Sequence, residues 1–509
     1  MADTDNIMSI LPAADSKRLT EVAALVAGAV VPLAFAPFGW WWFAIIGPAV
    51  LFRLWFDCPP RRAAWLGWLF GVGLWGAGVY WIYHSLHHFG SAIAPLAALI
   101  TLVFALAMAL TIAALGFVLC RGEPARRGVA WLLLLAPAAW IAQEWVRSWF
   151  LTGFPWLLLG TSQIDTPLAG YAPLVGVYGV GLVVAVTAGM LAALPRLRGL
   201  TLGVMLAVLA VAWGGGVALD GRDWSEPDGE ALSAALVQGN VPQDEKFDSI
   251  RRSVDLYTDK TRVVAGDVDL VVWPETAIPT YWDRVAPDLN AFARELGATE
   301  VVTGIFTYDR DHHRYYNSVR PLGPARDVYS KQRLVPFGEY LPLRDWLTFL
   351  EAVIEIPLGD LAVPDAEQGV IEAAGVRLGA FVCYEAAYPR VVGALAPEAG
   401  ILINVSNDAW FGDSTAPEQH LEIARMRSLE TARPMLRATN TGISAFIDHH
   451  GEIGERGAQF EALSMTAEVQ PRTGTTPYGR VGDWPVLGLL VLVIGGWILR
   501  SRQRRPAAR

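Results

Sequence analysis

Long apolar segments follow one another through the first 219 residues of the chain, and they constrain its fold more than any other feature. We predict seven membrane spans there, at about 20–38, 40–56, 63–83, 91–120, 128–146, 170–194 and 199–219, and an eighth at 484–499. Several of them are long enough to cross the roughly 30 Å hydrocarbon layer of a bilayer. Hydrophobic residues make up 53% of the 509 residues and charged residues only 17%, which is typical of a membrane protein.

The arginines predict how these spans are oriented. Basic residues follow the second, fourth, sixth and eighth spans, among them Arg61, Arg127, Arg196 and Arg500. Because positively charged loops stay in the cytoplasm, we expect both termini to be cytoplasmic. Residues 1–19 have no cleavable signal pattern, so the first span is interpreted as a signal anchor.

Five regions follow from this arrangement. They are a cytoplasmic N-terminus at 1–19, a seven-span membrane domain at 20–219, an extracytoplasmic domain at 220–483, the eighth span at 484–499 and a basic cytoplasmic tail at 500–509.

Charge and composition exclude some functions of the polar region. The net charge is −9 and no basic stripe is present, which argues against nucleic-acid binding. The three cysteines, Cys58, Cys120 and Cys383, are too scattered for a disulfide framework. Only four of the 40 basic residues are lysines, so the lysine at position 331 attracts attention. Lysine is a compact charge whose pKa can shift, and arginine is not.

From residue 232 the pattern changes to short apolar runs that end in polar turns. We predict strands at 232–238, 268–273, 300–306, 376–382 and 400–405, and more weakly at 326–331. Helices are expected between them, at about 249–265, 286–297, 385–396 and 417–433. This alternation indicates an α/β domain in which helices cover the sheets. The near-continuous apolar strands imply burial on both faces.

Three predicted strands are followed by chemically distinctive residues. Glu275 comes just after one strand, Lys331 ends another, and Cys383 follows a third. Each alone has an ordinary interpretation as a solvated strand end, a surface lysine or a buried structural cysteine. We expect them to lie at the ends of strands in one sheet and to converge on one cleft.

The chemistry explains why these three residue types belong together. A free thiol is mostly protonated at neutral pH, and a nearby carboxylate can take its proton as general base. An ammonium group favours the thiolate and stabilises the oxyanion of a tetrahedral intermediate. The sequence therefore predicts nucleophilic catalysis by Cys383.

These motifs resemble those of a known superfamily. Trp273-Pro-Glu275, Lys331 with Leu334-Val-Pro-Phe-Gly-Glu339, and Cys383-Tyr-Glu385 are similar to the Glu-Lys-Cys triad of the nitrilase, or carbon–nitrogen hydrolase, superfamily. The resemblance implies an α-β-β-α sandwich. With seven spans before the domain and one after it, the whole chain resembles the apolipoprotein N-acyltransferase family. The expected fold is thus a membrane α-helical bundle of about eight spans with an extracytoplasmic α/β domain.

The resemblance also implies residue roles. Cys383 would be the nucleophile, Glu275 the general base and Lys331 the charge that stabilises the intermediate. Supporting roles are implied for Glu339, Asn317, Tyr384 and Glu385: Glu339 beside Lys331, and the last two in shaping the nucleophile turn and the substrate pocket. Phe247 stands where the family often has a tryptophan, so it keeps the apolar face and lacks the indole N–H.

Candidate substrate-binding or lid residues are Trp156, Phe247, Trp346, Phe349 and Trp410. Trp156 belongs to the apolar loop Gly153-Phe-Pro-Trp156, which suits either a re-entrant segment or a tight turn. Trp346 and Phe349 lie in the apolar stretch 340–350, which is followed by another at 353–357; together they suit either a lid on the membrane or a packed amphipathic helix. His84, His87 and His88 have helical spacing but no nearby carboxylate or cysteine, so we expect no metal site and no cofactor.

The reaction implied by the resemblance is acyl transfer from a phospholipid, expected to be phosphatidylethanolamine, to diacylated apolipoproteins through a Cys383 thioester. The expected location is the bacterial inner membrane, with the catalytic domain periplasmic and the protein a monomer. One alternative is a membrane-tethered amidase that uses the same residues and water. Another is a transporter or receptor, in which Glu144 inside a span would mark a pathway.

Overall fold

The computed structural model describes residues 13–90, 92–121, 127–243, 245–246, 249–324, 327–336, 338–340 and 361–503. Phe247, Trp346, Phe349 and nearly all of the predicted lid lie outside these residues. Eight helices precede the α/β domain within the described ranges: α1 (Ala13–Val30), α2 (Phe43–Phe56), α3 (Pro60–Gly78), α4 (Trp81–His84), α5 (Ala94–Leu119), α6 (Ala136–Arg147), α7 (Ala172–Ala193) and α8 (Gly199–Leu219).

Four described helices are long and apolar enough to cross a membrane. They are α5, the helix Pro167–Arg196 that contains α7, α8, and Trp484–Ser501 near the C-terminus. The helices Pro60–Gly78 and Trp81–Phe89 pass that test together but are bent by 52° between them, and α2 is apolar but shorter. Helices therefore lie at all the predicted positions, whereas the count of eight spans stays a prediction.

The α/β domain contains two six-stranded sheets. The first has the order β13–β2–β3–β4–β5–β6 and the second β12–β11–β10–β9–β8–β7. Strand bounds are β1 (Glu226–Pro227), β2 (Leu232–Gln238), β3 (Leu270–Val272), β4 (Glu300–Asp309), β5 (Arg314–Pro321), β6 (Tyr329–Ser330), β7 (Ile371–Ala373), β8 (Val376–Val382), β9 (Ile401–Ser406), β10 (Met435–Thr439), β11 (Ala445–Ile447), β12 (Ile453–Arg456), β13 (Leu463–Val469) and β14 (Arg472–Thr473). Strands β2, β3 and β4 run parallel, as do β8, β9 and β10.

The helices of this part of the chain are α9 (Ile250–Val264), α10 (Trp282–Leu296), α11 (Pro389–Leu395), α12 (Ala416–Thr431), α13 (Pro477–Val481) and α14 (Trp484–Gln503). Helix α11 packs on β8 of the second sheet, and α12 packs against α7 of the membrane part.

Alternate side chains of the first sheet face opposite layers, as the two-residue period of a strand requires. Val237 and Val271 pack in one cluster with Phe292 of α10. Their neighbours Leu236 and Leu270 belong to the core that includes the strands of the second sheet. The two sheets therefore share an inner core, and helices cover the outer face of the first.

A bend in a membrane helix joins the two parts of the protein. Helix α7 bends at Gly176, which has φ of +65°, and a Cβ there would lie 2.3 Å from the Tyr478 ring. The backbone N–H of Val177 after the bend donates a hydrogen bond to Glu430 Oε1 of α12 at 2.7 Å. Because the carboxylate satisfies an amide that the bend frees, the break in the helix is stabilised by the α/β domain.

Candidate active site

Cys383 begins a tight helical turn, Cys383–Ala387, directly after β8. Its side chain is buried, with 7% of its surface exposed, and its φ is +51°. This left-handed conformation costs energy for a residue with a Cβ and occurs preferentially at functional sites. The turn thus holds the thiol in a defined position at the end of a buried strand.

Glu275 follows β3 and lies in a crowded loop. Trp273 is fully buried between α9 and α10 and donates from Nε1 to Thr261 Oγ1 at 2.9 Å. On the other side, β4 passes so close that a Cβ on Gly304 would lie 2.6 Å from the Glu275 Cα. The glycine is therefore what allows the backbone of Glu275 to rest against the sheet.

Lys331 and two carboxylates form a buried cluster. Lys331 Nζ donates to Glu339 Oε1 at 2.8 Å and lies 3.4 Å from Glu275 Oε1. Asn317 Nδ2 donates to the same two oxygens, at 2.7 Å to Glu275 and 3.3 Å to Glu339. Both hydrogen bonds to Glu275 fall on Oε1, so within the described residues Oε2 is the oxygen left to accept a proton.

The expectation that these residues share one sheet is wrong. Glu275 follows β3 and Lys331 follows β6, and both strands belong to the first sheet. Cys383 follows β8, which belongs to the second sheet. The three meet because the two sheets pack face to face, so that residues at the strand ends of both border one space. The sandwich implied by the resemblance has two sheets, but strand order cannot be read from the chain alone, which is why all three residues were assigned to one of them.

The electrostatics of the cluster favour a protonated thiol and a charged lysine at rest. Burial and the charge of Glu275 raise the pKa of Cys383, against the opposing effect of Lys331. Burial acts to lower the pKa of Lys331, but the charges of Glu339 and Glu275 outweigh it and raise the pKa. Since the thiol is protonated at neutral pH, any reaction through its thiolate needs a base, and Glu275 is the carboxylate whose charge acts most strongly on this thiol.

Glu385 connects the cysteine turn to the lysine segment. Its carboxylate accepts hydrogen bonds from the backbone N–H of Val382 at 2.7 Å, of Gln332 at 2.6 Å and of Arg333 at 3.1 Å, and from Tyr329 OH at 2.9 Å. Burial raises the pKa of Glu385 to about 7, opposed by the hydrogen bonds from Val382, Gln332 and Tyr329 and by the charge of Lys331. The fully buried Glu385 side chain therefore links the cysteine turn to the segment after β6 by hydrogen bonds.

The loop Gly153–Trp156 of the membrane part covers the cysteine turn. The Trp156 ring stacks on the Tyr384 ring with centroids 6.5 Å apart, and Trp156 Nε1 donates to Gln419 Oε1 at 2.7 Å. Tyr384 OH donates to Gly153 O at 3.4 Å. The residue beside Cys383 therefore contacts the membrane part directly.

Trp410 lies elsewhere. It is half-buried against the bent membrane helix, with its ring 5.5 Å from that of Phe89, and its carbonyl accepts from Ser85 Oγ at 2.7 Å. Its neighbour Phe411 contacts Trp156, with centroids 6.2 Å apart. Among the described residues, Trp410 is thus linked to Trp156 through its neighbour Phe411.

In the described ranges, one group of side chains has the spacing to hold a metal ion: Asp223, His449 and His450. His449 Nε2 lies 2.7 Å from Asp223 Oδ1, and Arg472 donates to that same oxygen at 3.1 Å. The Asp223 carboxylate is therefore already paired with a guanidinium.

Two residues near the site were missed by sequence reasoning. His420 Nε2 lies 3.0 Å from the Cys383 carbonyl, and since a carbonyl only accepts, this nitrogen holds the proton. Nδ1 lies 3.0 Å from Asp408 Oδ1 and 3.1 Å from Arg437 Nη2. Burial and the Arg437 charge lower the pKa of His420, against the opposing effect of Asp408. Lys246 lies behind Glu275. The rarity of lysine that singled out Lys331 also applies to Lys246, whereas nothing in the sequence distinguishes His420.

Comparison with known proteins first defines the class of the α/β domain. Residues 233–478 match the family model described as "Carbon-nitrogen hydrolase". Residues 27–190 match another, described as "Apolipoprotein N-acyltransferase N-terminal domain". The predicted carbon–nitrogen hydrolase domain is thereby confirmed.

Relatives extend the likeness over the whole chain. It is 44% identical to the apolipoprotein N-acyltransferase of Azotobacter vinelandii, over 95% of this chain and 96% of the relative. It is 42% identical to that of Pseudomonas aeruginosa strain PAO1, over 96% of each chain, and 42% identical to that of Methylococcus capsulatus, over 95% of this chain and 96% of the relative. The chain belongs to the apolipoprotein N-acyltransferase family.

Proposed function

We propose that this protein transfers a fatty acyl chain from a membrane phospholipid to the N-terminal amine of diacylglyceryl-cysteine apolipoproteins, the last step of lipoprotein maturation. The main support is the contact between Trp156 of the membrane part and Tyr384, the residue next to the nucleophile. A cysteine whose turn is packed against membrane segments suits a lipid donor better than a soluble amide. The names of the similar proteins support the same activity.

In the first half-reaction, the Cys383 thiol passes its proton to Glu275 Oε2, and the sulfur attacks the carbonyl carbon of a phospholipid ester. The oxyanion of the tetrahedral intermediate forms near the Lys331 ammonium, which stabilises it. When the ester C–O bond breaks, Glu275 returns the proton to the leaving oxygen. The products are a thioester on Cys383 and a lysophospholipid.

In the second half-reaction, the neutral α-amine of the lipoprotein attacks the thioester carbonyl and loses a proton to Glu275. The C–S bond then breaks, the amide forms, and the sulfur recovers its proton from Glu275. Splitting the transfer into two steps predicts ping-pong kinetics. Water competes with the amine, so a buried site favours acyl transfer over hydrolysis.

Several finer points belong to the same proposal. We infer an inner-membrane protein with both termini cytoplasmic, a periplasmic catalytic domain at 220–483, phosphatidylethanolamine as donor and a monomeric state. Within the site, Glu339 and Asn317 hold Lys331 and Glu275, and Tyr384 and Glu385 hold the nucleophile turn. Trp346 and Phe349 remain predicted lid residues, and Phe247 and Trp410 predicted substrate contacts.

The test is the intact mass of detergent-purified protein after incubation with phosphatidylethanolamine, beside the variants Cys383→Ala and Glu275→Gln. We expect a hydroxylamine-sensitive acyl adduct on the wild type and on neither variant. An adduct that persists in Cys383→Ala would overturn the assignment of the nucleophile. Folded wild-type protein that forms no adduct but releases ammonia from amides would make the protein an amidase instead.

A further inference from the structure

Lys246 is a second buried lysine at the site, and the reaction described above gives it no part. It lies in the connection between β2 and α9, with 3% of its surface exposed. Its Nζ donates to Thr276 Oγ1 at 2.7 Å and to the Glu275 carbonyl oxygen at 3.2 Å. Lys331 contacts the carboxylate of Glu275, so the two lysines hold opposite ends of the same residue.

The backbone that Lys246 contacts is strained. Thr276 has φ of +45°, an unfavourable value for a β-branched side chain. Such conformations persist only when the surrounding structure fixes them. Lys246 bonds to the residue before the strained peptide and to the side chain after it. It is therefore placed to hold the turn that carries the Glu275 carboxylate.

The charges of the cluster point the same way. Glu275 and Glu339 share the single ammonium of Lys331, which leaves an excess of one negative charge in a buried space. Arg437 is engaged by Asp408, at 2.8 Å. Within the described residues, Lys246 is the remaining buried cation that contacts Glu275, and its charge also acts on the Cys383 thiol.

We propose that Lys246 is a positioning residue that fixes the Glu275–Thr276 turn and supplies the second positive charge of the active site. This rests on the proposed function, in which Glu275 is the base. The proton transfer from Cys383 places negative charge on sulfur, and a second ammonium nearby lowers the energy of that state. Lys246 itself forms no bond to the acyl group.

The titration of Lys246 gives this role a signature. Burial lowers the pKa of Lys246 to about 8, against the opposing charges of Glu275 and Cys383. Lys331 and Glu339 lie beyond the Glu275 carboxylate. The ammonium is therefore present below about pH 8 and is lost above it. Thioester formation in the wild type should fall on an alkaline limb near that pH.

The variants Lys246→Met and Lys246→Arg separate charge from packing. Methionine removes the charge and both hydrogen bonds, and we expect thioester formation to slow about 10- to 100-fold, with KM for phosphatidylethanolamine unchanged. Arginine keeps its charge at high pH, so activity should stay within a few-fold of wild type and the alkaline limb should move upward. Lys260→Met, on α9 of the same domain, is the matched control and should behave as wild type.

A second readout requires no phospholipid. The rate at which iodoacetamide alkylates Cys383 follows the thiolate fraction, and Cys58 on the same molecule serves as internal reference. Lys246→Met should shift the alkylation profile of Cys383 to higher pH and leave that of Cys58 unchanged. The two assays test the two proposals separately. Wild-type protein that forms no thioester contradicts the proposed function. The role of Lys246 is then decided by the pH dependence of Cys383 alkylation alone.

The proposal is overturned if Lys246→Met keeps the wild-type profile in either assay. It is equally overturned if methionine and arginine cause the same loss with no change in pH dependence, since that result means a purely structural role. Thr276→Val removes one of the two hydrogen bonds and leaves the charge. Should Lys246→Met not fold, Thr276→Val together with Lys246→Arg decides the question, because only the arginine variant should move the alkaline limb.

Discussion

The two halves of the candidate site are held in different ways. On the first sheet, the reactive groups themselves are held: the Glu275 carboxylate and the Lys331 ammonium contact Asn317, Glu339 and each other. On the second sheet, the turn of Cys383 is held through its backbone. His420 bonds to the carbonyl of Cys383, and the Glu385 carboxylate accepts from the backbone N–H of Val382. Within the described residues, no hydrogen bond runs from a side chain of the first sheet to the sulfur of Cys383.

This difference suits what each half does in the proposed reaction. A base and an ammonium act through their charge, so their surroundings must set protonation as well as position. A nucleophile acts through its position, and a left-handed residue keeps that position only while its neighbours restrain the backbone. Substitutions on the first sheet should therefore change pH dependence, and substitutions around the cysteine turn should change rate without changing it.

The largest effect is expected where the two halves are joined, at Glu385. In Glu385→Gln, either orientation of the amide points its NH2 group at a backbone N–H that now donates to the carboxylate. Opposed buried donors cost about 2–4 kcal/mol, which corresponds to about a 30- to 1000-fold slower formation of the thioester. Intact mass against time measures the rate.

Glu372→Gln is the matched control for that variant, because Glu372 lies on β7 of the same sheet and is exposed. It should leave the rate unchanged. A Glu385→Gln protein that reacts within threefold of wild type would mean that the two halves are positioned independently, and the link through Glu385 would be wrong.

The next effect tests the base half through its backbone. In Gly304→Ala, the new Cβ lies 2.6 Å from the Glu275 Cα and must push that residue away from the sheet. A misplacement of about 1 Å at a reacting group typically costs up to about 100-fold in rate, so we expect a 10- to 100-fold loss. Because the charged neighbours of Glu275 move relative to it, the pH profile should shift as well.

Gly266→Ala is the comparison for Gly304→Ala, since nothing lies within 4 Å of a Cβ at Gly266. It should retain full activity. If Gly304→Ala is slower but keeps the wild-type pH profile, then the base half responds like the cysteine turn, and the contrast between the halves fails.

The cysteine turn itself is tested at His420. His420→Leu removes the donor to the Cys383 carbonyl, while His420→Gln can present an N–H at a similar distance. Loss of one hydrogen bond of about 1 kcal/mol predicts roughly a fivefold to tenfold lower kcat in the leucine variant, with recovery in the glutamine variant. The pH profile should not move in either, because His420 bonds to the backbone carbonyl of Cys383 and not to its sulfur.

Equal losses in both His420 variants, or a shifted pH profile, would contradict this reading. The first result would mean that the volume of the ring matters more than its N–H. The second would mean that His420 is charged in the working enzyme.

Much of the α/β domain could be predicted from the sequence. The apolar runs at 232–238 and 376–382 coincide with β2 and β8, because strands buried on both faces leave a strong pattern. Strands such as β5, with the polar sequence Arg314–Pro321, lack that pattern and were not predicted. Their burial comes from partners distant in the chain.

The residues of the candidate site also differ in whether the sequence could identify them. Glu275, Lys331 and Cys383 stand at strand ends and belong to motifs, so they could be found. His420 lies inside a regular helix, and its contribution is a hydrogen bond to the Cys383 carbonyl, 37 positions away in the chain. Folding brings the two together, so the sequence gives no sign of this contact. The pairing of two sheets, which places the cysteine opposite the other two residues, is likewise a property of tertiary packing.

The smallest effect should come from the contact between the cysteine turn and the membrane part. Trp156→Phe keeps an aromatic ring against Tyr384, and it removes part of a buried ring together with the Nε1–H bond to Gln419, a bond worth about 0.5–1 kcal/mol. We expect a two- to fivefold change at most, seen in KM for phosphatidylethanolamine in mixed micelles, with kcat and pH profile unchanged. Trp149→Phe, at an exposed tryptophan before the same loop, is the control. A different result is possible: Trp156→Phe could lower kcat more than His420→Leu does. The membrane part would then restrain the cysteine turn more strongly than the α/β domain does. The loop Gly153–Trp156, and not the bond from His420, would position Cys383.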